Sequence, residues 1–208
     1  MLQWLLVCYH NDGIVALSKL QTLGEYFSQS SATARDLCST KIQLIEQLIS
    51  LLANTYQNGG KVISCANGGL SAVSSHFVAE LVGRFEVRNR PPFPALSLTS
   101  DTSILTALAN DFGYDQIFNR QLHSIAQPDD VVFLMSCSGS SPNIIQALEL
   151  CCSLHIKCVL VTGDFNVEYI PVSSSLIHIS IPSKRCAVIQ EVTLQMLHYI
   201  CYRLDLLK

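Results

Sequence analysis

Asp130-Val131-Val132-Phe133-Leu134-Met135 runs directly into Ser136-Cys137-Ser138-Gly139-Ser140-Ser141-Pro142, and then into Asn143. An unbroken apolar run of this length reads as a strand buried on both faces. The loop after it alternates small hydroxyl residues with a glycine, and Pro142 suits the first turn of a helix. The residues from about Asn143 to His155 continue as that helix. Strand, serine-rich turn and helix in this order make one unit of a parallel α/β sheet.

The same unit recurs on either side. Upstream, Lys61-Val62-Ile63-Ser64-Cys65 predicts a strand, Asn67-Gly68-Gly69 a turn, and Leu70 to Phe85 a helix. Pro94-Ala95-Leu96-Ser97-Leu98 predicts a second strand, with a helical segment after Asp101. Downstream, Lys157-Cys158-Val159-Leu160-Val161-Thr162 ends at Gly163, and Leu176-Ile177-His178-Ile179-Ser180-Ile181 ends at Pro182. A last helix runs from about Cys186 to Leu206. Residues 14 to 57 read as helices. Ile42, Ile45, Leu48, Ile49 and Leu52 have helical spacing, and Gly59-Gly60 stops them. The fold class is therefore α/β, a three-layer α/β/α sandwich. It is expected as a single domain over 1–208, with a helical N-terminal extension (1–57) and a sheet core with a C-terminal helix (58–208). Ligands in such sheets bind at the carboxyl ends of strands, where both small-residue turns fall.

Composition bounds the function. The chain has 208 residues, 49% hydrophobic and only 14% charged, against a typical charged fraction of about 25%. Few charges point either to an oligomer with buried faces or to a monomer with a large core. The net charge of −3 and the lack of clustered Lys and Arg give no nucleic-acid footprint, since the stretch Arg84 to Arg90 is short and carries Glu86. The nine cysteines, Cys8 among them, sit mostly in apolar runs and read as reduced core residues of a cytoplasmic protein. Met1 to His10 is apolar without a basic start and is cut off by Asn11-Asp12-Gly13, unlike a signal peptide. No stretch is long enough for a membrane span.

Ser136, Ser138, Ser140 and Ser141 combine hydroxyls with the free N–H groups of a helix start, which together make an anion site. Gly139 lets the backbone approach the ligand closely. The Gly-Lys-Ser/Thr ending of a nucleotide loop is absent, so the site suits one phosphate monoester. Helix capping by a single serine is the plain alternative.

The ordered set of motifs resembles the phosphoheptose isomerases of the sugar-isomerase (SIS) domain family. It comprises Asn67-Gly68-Gly69, His76 to Phe85, Asp101 to Ala107, Asn110-Asp111-Phe112-Gly113-Tyr114, Ser136 to Asn143, Ile181-Pro182-Ser183, Ile189-Gln190-Glu191 and His198. The resemblance covers roughly residues 40 to 205. It implies a flavodoxin-like parallel sheet and a homotetramer with sites at subunit interfaces. It also implies isomerisation of sedoheptulose 7-phosphate to D-glycero-D-manno-heptose 7-phosphate, the entry to bacterial heptose and lipopolysaccharide precursors. Members often bind zinc.

Moving a proton between adjacent carbons needs a base for C–H and an acid for oxygen. Glu80 resembles the family's base and His198 its acid partner. His76, Glu80, Gln190 and His198 match its metal ligands, a nitrogen and oxygen donor set that suits zinc. For substrate the resemblance implies Asn67, Gly68, Gly69, Asp101, Thr102, Ser136, Ser138, Ser141 and Gln190, with Arg84 either on substrate oxygens or simply on the surface. By spacing alone, His76 and Glu80 are a solvated i, i+4 pair, His198 is a core histidine, and Asp101 is a helix cap.

The chain departs from the family at its glycine turn. Ala66 stands for the usual first Gly, Leu70 for a Ser that contributes to phosphate binding, and Val73 for an Asp. Cys137 and Ser140 replace a usual Thr and Asn, and the loop after Gly163 lacks paired glycines. The competing readings are a non-catalytic SIS-domain regulator, such as those that bind the replication initiator, and a sugar-phosphate sensor. Glu80 and His198 are typically replaced in those regulators, so their presence favours the enzyme.

Overall fold

The computed structural model describes residues 21–165, 170–171 and 173–207. The apolar start, Cys8, the part of the first helical prediction before Gln21, and residues 166–169 and 172 of the loop after Asp164 lie outside the described residues.

Thr22 starts the first helix, α1 (Leu23–Gln57), through a capping box. Its Oγ1 accepts from the Glu25 N–H at 3.2 Å, and its own N–H donates to Glu25 Oε2 at 2.7 Å. These reciprocal bonds satisfy donors that a helix start leaves open. One continuous 35-residue helix results, with Leu37, Ile45, Leu48, Ile49 and Leu52 on its buried stripe.

The strands are β1 (Val62–Ala66), β2 (Ala95–Ser97), β3 (Val131–Ser136), β4 (Lys157–Gly163) and β5 (Leu176–Ile181). The helices between and after them are α2 (Gly69–Val82), α3 (Thr102–Phe112), α4 (Ile117–Ile125), α5 (Pro142–Ser153) and α6 (Cys186–Asp205), with a 3-10 turn at Tyr114–Gln116. All strand pairs are parallel, in the order β2-β1-β3-β4-β5. This is the flavodoxin-like order, and the chain reverses its winding between β1 and β3.

Every residue of β1 and β3 is buried. Period-two alternation sends them to opposite layers. Val62, Val131, Phe133 and Met135 pack with α1, α2 and α6, while Ile63, Cys65, Val132 and Leu134 pack with α4 and α5. Phe133 meets Phe77 of α2 with ring centroids 5.1 Å apart. Both strands therefore carry apolar runs with no polar alternation.

Two sequence expectations change. The helix expected to reach Phe85 ends at Val82, so Arg84 is off the helix. There Leu81 O and Glu80 O accept from the Arg90 guanidinium, which satisfies the helix end without a further turn. The residues between Phe112 and Val131, read only as following a helical segment, contain the 3-10 turn and α4. Among the described residues, no helix is long and apolar enough to cross a membrane.

Candidate active site

The crevice at the β1/β3 reversal is walled by two turns. Asn67 and Gly68 leave β1, and Gly68 has φ 55° and ψ −131°, a backbone conformation for which a side chain is poorly suited. Across the crevice stands Asn143, in the first turn of α5 and 1% exposed. The two amides bond reciprocally. Asn67 Nδ2 donates to Asn143 Oδ1 at 2.8 Å, and Asn143 Nδ2 donates to Asn67 Oδ1 at 2.9 Å. The Tyr114 hydroxyl donates to the same Asn67 Oδ1 at 3.1 Å.

A Cβ at Gly68 would touch nothing within 4 Å. The expected loss for Gly68→Ala is therefore backbone strain alone, about 1–3 kcal/mol. Urea denaturation checks this, with an unchanged slope and a lower midpoint expected.

The serine loop is tied from within. Ser136 is 3% exposed. Its Oγ accepts from Gly139 N–H at 3.2 Å and meets Ser141 Oγ at 2.9 Å. Ser138 Oγ accepts from the N–H of Ser140 at 3.2 Å and from its hydroxyl at 2.9 Å. Gly139 has φ 71°. Ser141 occupies the cap position of α5, yet its side chain caps no N–H. The plain capping alternative is thus not what the loop does, and the α5 start presents its dipole and N–H groups to the crevice.

Gln190 of α6 lies between the turns. A Cβ on Gly69 would fall 2.6 Å from its amide, so glycine there admits the side chain. The same amide reaches the Cys137 thiol, which burial, with Cys186 beside it, pushes up to about 11. Seven residues along α2 and eight along α6, the two helices meet again. His76 Nε2 lies 2.9 Å from His198 Nε2 and 3.3 Å from Glu80 Oε1. The ring of Phe85 packs on His198 at 5.3 Å. Burial, and secondly His76, lower the His198 pKa against the opposing pull of Glu80. His198 is therefore neutral at pH 7 and keeps a lone pair.

Two imidazoles and a carboxylate suit zinc, and donors around a tetrahedral zinc at about 2.0–2.1 Å stand roughly 3.3 Å apart. The His76–Glu80 spacing agrees, while the ring–ring hydrogen bond is tighter. Among the described residues, no group of three or more His, Cys, Asp or Glu side chains is already arranged around an ion position. His76 contacts both partners, and Gln190 sits with the glycine turn rather than with them. The donor chemistry fits; the four residues are brought together as three and one.

Other expected residues are placed apart. Asp101 Oδ1 accepts from the Ile104 N–H at 3.0 Å and caps α3. Thr102 follows it, exposed, and Arg84 is exposed with its guanidinium on the Phe85 carbonyl. Three contributors had no role in the sequence reading. Asn143 stood in a quoted motif and Tyr114 in another, but nothing in their spacing announced a bond to Asn67. Arg90 lay in a stretch too short to read as a basic patch.

The SIS domain sequence profile matches residues 25–163. The phosphoheptose isomerase of Shewanella frigidimarina is 37% identical over 187 residues, covering 89% of this chain and 94% of that protein. That of Bordetella avium is 38% identical over 179 residues, 84% and 90% of the two. The chain belongs to the phosphoheptose isomerase family of SIS domains. Solved phosphoheptose isomerases agree in fold. The Francisella tularensis structure superposes with a TM-score of 0.81 at 31% identity over 88% of this chain and 96% of that one. The Neisseria gonorrhoeae structure gives 0.81 at 28% identity over 89% and 97%. Within this family, the altered turn has a structural meaning. Leu70 is 2% exposed and, with Val73, packs into the α1/α2/α6 core. Neither position offers a hydroxyl or carboxylate to the crevice.

Proposed function

We propose that this chain is an aldose–ketose isomerase interconverting sedoheptulose 7-phosphate and D-glycero-D-manno-heptose 7-phosphate, at the entry to bacterial heptose and lipopolysaccharide precursor synthesis. The observation that carries this is the distance along paired helices. Gly69 meets Gln190 at the phosphate-type loop, and His76 meets His198 farther on. Seven helical residues rise about 10 Å. A seven-carbon chain, with carbon–carbon bonds of about 1.5 Å in a zigzag, spans roughly 7–8 Å before its phosphate is added. A phosphate on the last carbon held at the serine loop thus leaves the first two carbons near Glu80 and His198. The named relatives support the same reaction.

In the proposed mechanism, Ser136, Ser138, Ser141 and the α5 N-terminus bind the phosphate. Asn67, Gly68, Gly69 and Gln190 line the path of the hydroxyl chain, and Arg84, Asp101 and Thr102, which stand apart from the crevice, have no role there. Glu80 takes the proton from C1 of the ketose and returns it to C2, and His198 moves the proton between O1 and O2. Glu80 Oε1 faces His76, which leaves Oε2 as the base atom. A zinc ion, which His76, Glu80 and His198 would hold, would supply stabilisation of the developing negative charge.

The His76 side chain is 45% exposed, and Val82, Tyr199 and Tyr202 expose apolar surface nearby in sequence. These features support a homotetramer that closes the site at subunit interfaces. Free thiols support a cytoplasmic setting, and the chain as a whole, 1–208, is taken as one domain.

The test is purified protein with sedoheptulose 7-phosphate, with and without zinc, followed by NMR. Appearance of the aldose supports the proposal. No aldose with any divalent metal sinks it and leaves a sugar-phosphate-binding regulator as the account.

A further inference from the structure

Asn143 lies in the first turn of α5, where a side chain ordinarily serves its own helix. Instead it reaches across the β1/β3 crevice to a residue 76 positions earlier. The reciprocal pair uses one N–H and one lone pair of each amide. Tyr114 occupies the second lone pair of Asn67 Oδ1. What remains free on the Asn67 side chain is a single N–H, on a half-buried residue at the crevice wall.

Tyr114 is 60% exposed, and an exposed tyrosine is ordinarily mobile. Here the turn that carries it is fastened to α5. Gln146 Nε2 donates to Asp115 Oδ2 at 2.8 Å, and Gln116 Nε2 donates to Gln146 Oε1. The glycine turn, the Tyr114 turn and the α5 start thus form one bonded unit around Asn67.

We propose that Asn143 is a positioning residue which, with Tyr114, fixes the Asn67 amide so that its remaining N–H donates to a phosphosugar oxygen, setting substrate affinity. The inference rests on the isomerase reading for the identity of the sugar. Loss of Asn143 leaves Asn67 held by the Tyr114 bond alone, loss of Tyr114 leaves only the reciprocal pair, and in both the cost appears in binding before it appears in chemistry. Asn143→Asp is the sharper change. A carboxylate there accepts from Asn67 Nδ2 but sets oxygen against oxygen at Asn67 Oδ1, and it adds negative charge beside the phosphate.

The experiment measures kcat and KM for sedoheptulose 7-phosphate in the full chain, with its thermal midpoint, for Tyr114→Phe, Asn143→Ala and Asn143→Asp. Calorimetric affinity for the same sugar phosphate runs beside it. Tyr114→Phe is expected to keep its midpoint and raise KM roughly threefold, and Asn143→Ala to raise KM roughly tenfold with a smaller fall in kcat. Asn143→Asp is expected to raise KM further. A purely structural role would lower the midpoint of the Asn143 variants and leave KM of the folded protein unchanged, and that result overturns the proposal. If the wild type binds the sugar phosphate without turning it over, the isomerase reading fails. The calorimetric affinities then decide, with weakening in Tyr114→Phe and Asn143→Ala upholding the role of Asn143 and equal affinities overturning it. A wild type that neither binds nor turns over the compound overturns both.

Discussion

Glu80→Gln is expected to slow the conversion of sedoheptulose 7-phosphate by about 10²–10⁴-fold in kcat, the range that a positioned proton-transfer group contributes. The substitution keeps the shape and removes the basicity. The fold tolerates it, because the Glu80 side chain is 22% exposed and its ion-pair partner is the exposed His76 one turn away. Such a surface pair is worth a few tenths of a kcal/mol, on the order of 0.3–0.5. The thermal midpoint is therefore expected to stay within a few degrees of wild type. KM is expected to change little, because the phosphate grip lies about two helical turns away at the serine loop. The assay is run with zinc content measured on the same samples. If kcat falls only in proportion to lost zinc, Glu80 is a ligand and another group is the base. A loss below tenfold at full zinc content removes Glu80 from the proton transfer altogether.

The fold was legible because its signals are one-dimensional. Strands buried on both faces must be continuous apolar runs, and each was bounded by Gly, Pro or Ser that a chain reversal requires. The residues of β5 were read without error, since Pro182 closes it. Where the structure departs from the expectation, local and distant causes combine. Gly83 caps α2 directly after Val82, a local stop. The carbonyls of that last turn are then held by Arg90, whose own place is set by α6. The site was partly legible for the same reason. His76 and Glu80 share a helix face by spacing, but their meeting with His198 depends on how α2 and α6 pack. Leu70 shows the reverse. It reads as a lost hydroxyl in the turn, and its meaning appears only once it is seen filling the core. The Asn67–Asn143 pair has a sequence separation of 76, and no periodicity reaches that far.

The Arg90–Asp205 pair carries the largest expected effect on stability. Arg90 and Asp205 have side chains 6% and 1% exposed, with Nε 2.5 Å from Oδ1. The other oxygen, Oδ2, accepts from the backbone N–H groups of Glu86 and Val87, each at 2.8 Å. Three bonds to this carboxylate thus hold the segment between α2 and β2 against the end of α6. Asp205→Ala leaves a guanidinium buried without its counter-charge and two N–H groups without an acceptor. Removing one partner of a buried pair costs about 3–5 kcal/mol. For a chain of this size, where 1 kcal/mol moves the midpoint by about 2–4 °C, a fall on the order of 10 °C is expected in thermal denaturation. Burial decides the magnitude, as a second pair shows. Glu46 and Arg203 are bonded just as directly, but at 39% and 33% exposed, and Glu46→Gln is expected to cost less than about 1 kcal/mol. The double variant Arg90→Leu/Asp205→Ala separates charge from shape. It removes the stranded cation, so it is expected to be more stable than Asp205→Ala alone. It also frees the carbonyls of Glu80 and Leu81 that Arg90 holds. Any stability it regains therefore comes with a looser last turn beneath the proposed base. If Asp205→Ala loses under about 1 kcal/mol, the pair is not the buried clamp described, because a buried lone charge cannot be that cheap.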